Sequence, residues 1–359
     1  MTPSLLLAAL RDPASVRQLT LAQWDLLLRQ AASAKLMACL VCLFDDAGLT
    51  DGLPAPVRAH VEWTRVLMTR HADAVHFEIL RIHAALAGLG TPVVLLKGAA
   101  YTAAGLAPAR GRLFSDIDVM VPKDRLADAE AALMLHGWVS QSQDAYDQRY
   151  YRQWMHEIPP MEHMRRQSVI DVHHAILPQT ARVRPDPAKL RAAAVDIPGM
   201  QGLQTLAPAD MVLHSAVHLF YDGEFDSGLR DLVDLHRLLT QFGAMPGFWE
   251  QLPGRAMEME LTRPLLYALR YSQRLLGTMV PDAAFTALAP AAPHALLMRL
   301  MDALLTRGLQ PMHASCDDML SPAARGMLYI RGNWLRMPPF LLARHLFHKA
   351  FISRPSAPT

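Results

Sequence analysis

Phe114-Ser115-Asp116-Ile117-Asp118-Val119-Met120-Val121 carries the pattern on which the fold turns. Acidic and apolar residues alternate with the period of a β-strand, so Asp116 and Asp118 project from one face while Ile117 and Val119 pack behind. Two like charges side by side repel, and a fold tolerates that mainly where a cation neutralises them. Upstream, Val93-Val94-Leu95-Leu96 reads as a strand covered on both faces, ended by Lys97-Gly98 and followed by a short helix over residues 99–106. Gly98 lets backbone approach a ligand closely, amides at the helix start suit phosphate oxygens, and Lys97 adds an ammonium. The acid pair and the glycine turn together point to metal-dependent nucleotide chemistry.

Downstream, Pro122 leads into an amphipathic helix over residues 124–135, closed by His136-Gly137. Strand-like segments follow at Trp138-Val139, Tyr150-Tyr151 and Val169-Ile170-Asp171-Val172-His173, with residues 162–168 as the turn of a hairpin. An acid in the middle of such a strand costs energy unless something compensates it. Asp171 and His173 share a strand face, so Asp171 could ligate a metal beside an acceptor and help remove its proton. His173 either orients that group or is an ordinary polar strand end, and His174 reads as the latter. Arg110 and Arg112 lie on the loop before the acid pair, placed to clamp a triphosphate or, for Arg112, to form a salt bridge with Asp116. His214 and His218 stand at i and i+4, a zinc-capable spacing to which Asp231 or Asp234 could add a ligand; packing between helices is the alternative.

With 359 residues, 52% of them hydrophobic and 19% charged, the chain fits an ordered, largely helical protein of two or three domains. The pattern predicts a helical region over 1–75, a mixed α/β core over 76–178 and a helical domain over 179–359. A net charge of +2 gives no global affinity for polyanions, and the basic cluster is C-terminal, so a nucleic-acid polymerase is disfavoured. That cluster, Arg331, Arg336, Arg344, Lys349 and Arg354, reads as a solvated basic helix, with contact to a membrane surface or an acidic partner as the alternative. Cys39 and Cys42 have C-x-x-C spacing but sit in an apolar helical run without a second pair, so burial is expected rather than metal or redox use. No apolar run approaches the ~18–20 residues that span a bilayer, and no basic segment precedes Leu5-Leu6-Leu7, so a cytoplasmic location is expected.

Taken in order, Lys97-Gly98, Arg112, Asp116-Ile117-Asp118, Leu133 to Gly137, and Ile170-Asp171-Val172-His173 resemble an uncharacterised bacterial nucleotidyltransferase family of the DNA polymerase β-like superfamily. The resemblance continues through Leu213-His214 to His218 and Leu229 to Leu239, covering most of residues 80–240. It implies an α+β fold with a small mixed-sheet core between helical regions. It also implies catalytic, metal-holding acids at Asp116, Asp118 and Asp171, a nucleotide-binding turn at Gly98 and Ala99, and His218 as a wall of the acceptor cleft. Superfamily members commonly place a serine after the glycine, where this chain has Ala99. The expected reaction moves a nucleoside monophosphate, AMP by default, from a nucleoside triphosphate such as ATP to a small-molecule, glycan or peptide acceptor, with Mg²⁺ or Mn²⁺ as cofactor. Two rivals are a nucleotide-binding protein without turnover and a phosphotransferase that moves the γ-phosphoryl group.

Overall fold

The computed structural model describes residues 4–141, 144–338 and 340. Helices α1 (Leu5–Arg11), α2 (Leu21–Ser33), α3 (Met37–Asp46) and α4 (Ala55–Leu86) come first. Local chemistry sets their ends. Thr20 and Gln23 form a reciprocal capping box at the start of α2. Pro54 precedes α4, and Gly90, in the left-handed region at φ 67°, turns the chain after it.

Strand β1 (Val93–Leu95), α5 (Lys97–Ala103), β2 (Asp116–Met120), α6 (Leu126–Leu135) and β3 (Trp138–Ser140) follow. Then come α7 (Ala145–Trp154), β4 (Met161–His163), β5 (Val169–His173), α8 (Pro187–Ala192), β6 (Val195–Asp196) and β7 (Leu203–Thr205). The strands make one mixed sheet in the order β3-β4-β5-β2-β1-β7-β6. At its centre β2 and β5 run parallel with Asp116 opposite Val169 and Asp118 opposite Asp171. Val93, Val94 and Leu95 are all buried, as a strand covered on both faces must be. Helix α4 packs against α5 and α6 behind the sheet.

The remaining helices are α9 (Pro208–Asp222), α10 (Gly228–Gly243), α11 (Phe248–Glu258), α12 (Thr262–Leu276), α13 (Asp282–Leu288), α14 (Ala295–Gly308) and α15 (Ser321–Arg336). They pack around α9, which touches α10, α11, α12 and α15. The architecture is α+β, a mixed sheet between helical regions.

Three expectations change. Tyr150 and Tyr151 lie in α7, not in a strand; the i,i+4 hydrogen bonds Arg149–Gln153 and Arg152–Gln148 support a helix there. The stretch beyond residue 178 is not wholly helical, because β7 pairs in parallel with β1 and β6 extends the edge. Of the basic C-terminal residues, Arg331 donates to the Phe220 carbonyl at 2.7 Å and Arg336 pairs with Asp222, so both dock on α9 instead of facing solvent. Arg344, Lys349 and Arg354 lie outside the described residues. Among the described residues no helix is long and apolar enough to cross a membrane. Cys39 and Cys42 are buried in α3, and burial pushes the Cys39 thiol up to about 11, out of the reactive range.

Candidate active site

Strand alternation and parallel register together place Asp116, Asp118 and Asp171 on one face of the sheet. One carboxylate oxygen from each lies within 4.8 Å of the other two. Their environments differ. Asp118 is buried, and its Oδ1 accepts from Lys97 Nζ and from His173 Nε2, each at 2.9 Å. Burial alone would raise its pKa, but the Lys97 charge and the His173 hydrogen bond outweigh it and hold the carboxyl far below the usual range. Asp171 has no such cation. Burial, then the charges of Asp118 and Glu157, push it up to about 7. Its Oδ1 is buried and has no hydrogen-bond partner.

His173 is held between two carboxylates, since its Nδ1 lies 3.1 Å from Glu157 Oε2 while Nε2 meets Asp118. Burial opposes its charge, yet Glu157 and Asp118 raise its pKa above the ordinary histidine value. It is thus no plain strand end. Lys97 adopts φ 43°, a left-handed conformation costing a non-glycine residue about 1–2 kcal/mol, and the ammonium of this strand-to-helix turn meets Asp118.

Asp116 and Asp118 open onto a cleft of about 620 Å³. The α2–α3 corner supplies one wall through Lys35 and Met37, while Ser227, Arg230 and Asp231 at the start of α10 supply another. The N-terminal helices therefore help enclose the site. A smaller cavity of about 190 Å³, lined by Asp171, His173, Glu157 and Asp222, opens on the other side, and Lys97 and His218 line both.

Several residues take places other than those expected. Arg112 does not pair with Asp116; its Nε donates to Asp234 Oδ2 at 2.6 Å, and both side chains are buried. Arg110 makes a two-pronged pair with Asp46 at 3.0 and 2.8 Å on the surface and does not line the cleft. Gly98 is needed for packing: a Cβ there would stand 2.7 Å from the Phe114 ring. Gly98→Ala should cost about 1–3 kcal/mol, read as a lower denaturant midpoint; an unchanged midpoint would show that the Phe114 ring yields freely. Ala99 is buried in the core and does not line the cleft, so its missing hydroxyl faces no ligand space. His174 is buried beside Gln179, its Nε2 3.3 Å from the amide nitrogen. His218 Nδ1 lies 3.9 Å from Asp231 Oδ2, His214 is buried, and among the described residues neither belongs to a metal-capable group.

Lys35, Arg230, His156 and Glu157 were not singled out by the sequence. Lys35 ends α2 at φ 56°, a position that favours glycine, and nothing in Ala34-Lys35-Leu36 announces it.

A family profile described as an uncharacterised nucleotidyltransferase matches residues 20–277. The chain belongs to that family. No curated protein matches it. Among solved structures it is similar to the antibiotic-resistance factor ANT(2'')-Ia at 15% identity and a TM-score of 0.36, over 57% of this chain and 98% of that one. A likeness that loose carries no argument about substrate.

In this nucleotidyltransferase the three acids fit a hard divalent cation. They offer only oxygen donors, and Asp171 Oδ1 is buried without a partner. The raised Asp171 pKa gives a sign. The folded state holds this proton more tightly than the unfolded chain, so ionisation weakens the fold as pH rises from the unfolded value near 4 through about 7. A bound cation favours the ionised form and relieves that cost. Mg²⁺ should therefore raise the melting temperature more at pH 8 than at pH 5.5, and Asp171→Asn should flatten the difference. Equal Mg²⁺ shifts at both pH values would remove Asp171 from the ligand set.

Proposed function

We propose that the protein moves a nucleoside monophosphate, AMP by default, from a nucleoside triphosphate to a hydroxyl of an acceptor and releases pyrophosphate. One observation carries the reading: two adjacent parallel strands bring three carboxylates together, Asp116 and Asp118 lining a cleft of about 620 Å³ and Asp171, with an unpartnered buried oxygen, lining the smaller cavity beside it. Asp116, Asp118 and Asp171 would hold Mg²⁺ or Mn²⁺, which when bound neutralises negative charge gathering on the phosphates.

The chain's own groups do the rest. Lys97 keeps Asp118 ionised and sits where the two cavities meet, within reach of phosphate oxygens. Lys35 and Arg230 line the same cleft and suit the outer phosphates. Arg112 is committed to Asp234 and steadies the wall, a role different from the expected clamp. Glu157 fixes His173, which fixes Asp118. The acceptor oxygen attacks the α-phosphorus, the bond from that phosphorus to the bridging oxygen of the β-phosphate breaks, and the acceptor proton passes to Asp171. Its place in the smaller cavity beside the other two acids suits that carboxylate to receive the proton. The smaller cavity beside Asp171 suits the acceptor side.

Ala99 lies in the core and does not line the cleft, so its missing hydroxyl lends no support to a nucleotide-binding protein without turnover. The test incubates the protein with each α-labelled nucleotide, Mg²⁺ or Mn²⁺ and candidate hydroxyl acceptors. Label on the acceptor, lost in Asp118→Ala, is expected. Transfer of a γ-label in its place would make the protein a phosphotransferase.

A further inference from the structure

A second large cavity, of about 590 Å³, lies at the far ends of β2 and β5, within the range of small-molecule sites. Leu177 and Pro178 line both it and the 190 Å³ cavity that holds Asp171 and His173. The two spaces thus meet over a shared wall, on the side of the acids away from the nucleotide cleft.

Lys123, Arg184 and Arg191 surround this cavity. Among the described residues none of the three side chains has a hydrogen-bonding or ion-pair partner. Cations just outside it are engaged: Lys189 pairs with Glu258 at 3.0 Å, Arg255 with Asp210 at 2.7 Å, and Arg182 lies 4.5 Å over the Trp334 ring. Asp186, the one acid in the lining, has its Oδ1 occupied by the Ala188 amide at 2.8 Å. His174 is held neutral at pH 7, pushed down to about 4 by burial and by the Lys123 charge. Pro178, Pro185 and Pro187 fix the backbone that carries these groups, so the cavity is formed in advance.

We infer that the acceptor carries an anionic group, phosphate or carboxylate, which docks among Lys123, Arg184 and Arg191 while its hydroxyl reaches Asp171 through the smaller cavity. The inference rests on the nucleotidyl-transfer reading, except that the cavity's selection of an anion stands without it.

Glucose 6-phosphate, gluconate and glucose share hydroxyls and differ in charge. Each is titrated calorimetrically into the full chain with Mg²⁺ and saturating α,β-methylene-ATP, which occupies the nucleotide cleft. One or both anions should bind at least about tenfold tighter than glucose, and the tighter of the two names the anion. Arg184→Glu with Arg191→Glu should weaken the anions at least about tenfold while the affinity for the nucleotide analogue and the melting temperature stay unchanged. Equal binding of all three compounds, no binding of either anion, or anion binding that survives the charge reversal overturns the proposal. If the nucleotide analogue itself fails to bind, the nucleotidyl-transfer reading fails, and the same titrations without it still report whether the cavity selects anions.

Discussion

Asp118→Asn should lower nucleotidyl transfer by about a thousandfold or more, roughly 4 kcal/mol of transition-state stabilisation, and also weaken the fold. The two effects share a cause. Asp118 is the buried counter-charge for both Lys97 and His173, each 2.9 Å from the same oxygen. An asparagine oxygen still accepts one hydrogen bond, but the Lys97 ammonium loses its buried anion and His173 keeps only Glu157. Removing one partner of a buried pair costs about 3–5 kcal/mol, and the retained acceptor places this case near the lower end. Initial rates with α-labelled nucleotide, taken well below the variant's melting temperature, separate chemistry from unfolding. A folded variant with near wild-type turnover would remove Asp118 from the reaction.

Arg112→Ala should destabilise the protein by about 3–5 kcal/mol, because it strands Asp234 inside the cleft wall. Arg112 and Asp234 meet at 2.6 Å with both side chains buried, and the guanidinium also lies 5.5 Å over Phe114 and 5.8 Å over Tyr101. The pair ties the loop before β2 to α10. Replacing both residues together, Arg112→Met with Asp234→Leu, should recover most of the loss, since apolar groups of similar volume need no counter-charge. Urea unfolding of the two single variants and the double variant measures the coupling. A double variant no more stable than Arg112→Ala would mean that the loss comes from packing, not from the stranded acid.

The central strands were legible because their signal is local. Alternation at Asp116-Ile117-Asp118 and at Ile170-Asp171-Val172 fixes which side chains share a face, and both segments are strands in the fold. What pairs with what was not legible. Arg112 finds Asp234 far along the chain, and no spacing rule reaches that distance. Arg110 and Arg112 look equivalent in sequence, yet one faces solvent and the other the cleft. Gly111 between them sits at φ 75°, where a Cβ would meet the Ala38 backbone at 2.6 Å, so the loop is pressed against α3 and the two arginines diverge. Tyr150-Tyr151 misled through aromatic β-propensity, which helix contacts overrode. Leu203-Gln204-Thr205 is too short to show a period at all.

That short strand has a consequence for how the chain is made. β1 lies between β2 and β7, and β7 pairs with it across about a hundred residues of intervening chain. During synthesis β1 therefore emerges, pairs with β2, and waits with its other edge bare while more than eighty residues are added after β2. At about 5–20 residues per second the exposure lasts several seconds. Val93, Val94 and Leu95 are apolar and charge-free, the kind of edge that captures other strands. A chain truncated at residue 178 would keep all three carboxylates and leave that edge permanently open. Aggregation of such a fragment on the ribosome or after release, relieved by restoring residues through 205, is the behaviour this topology imposes.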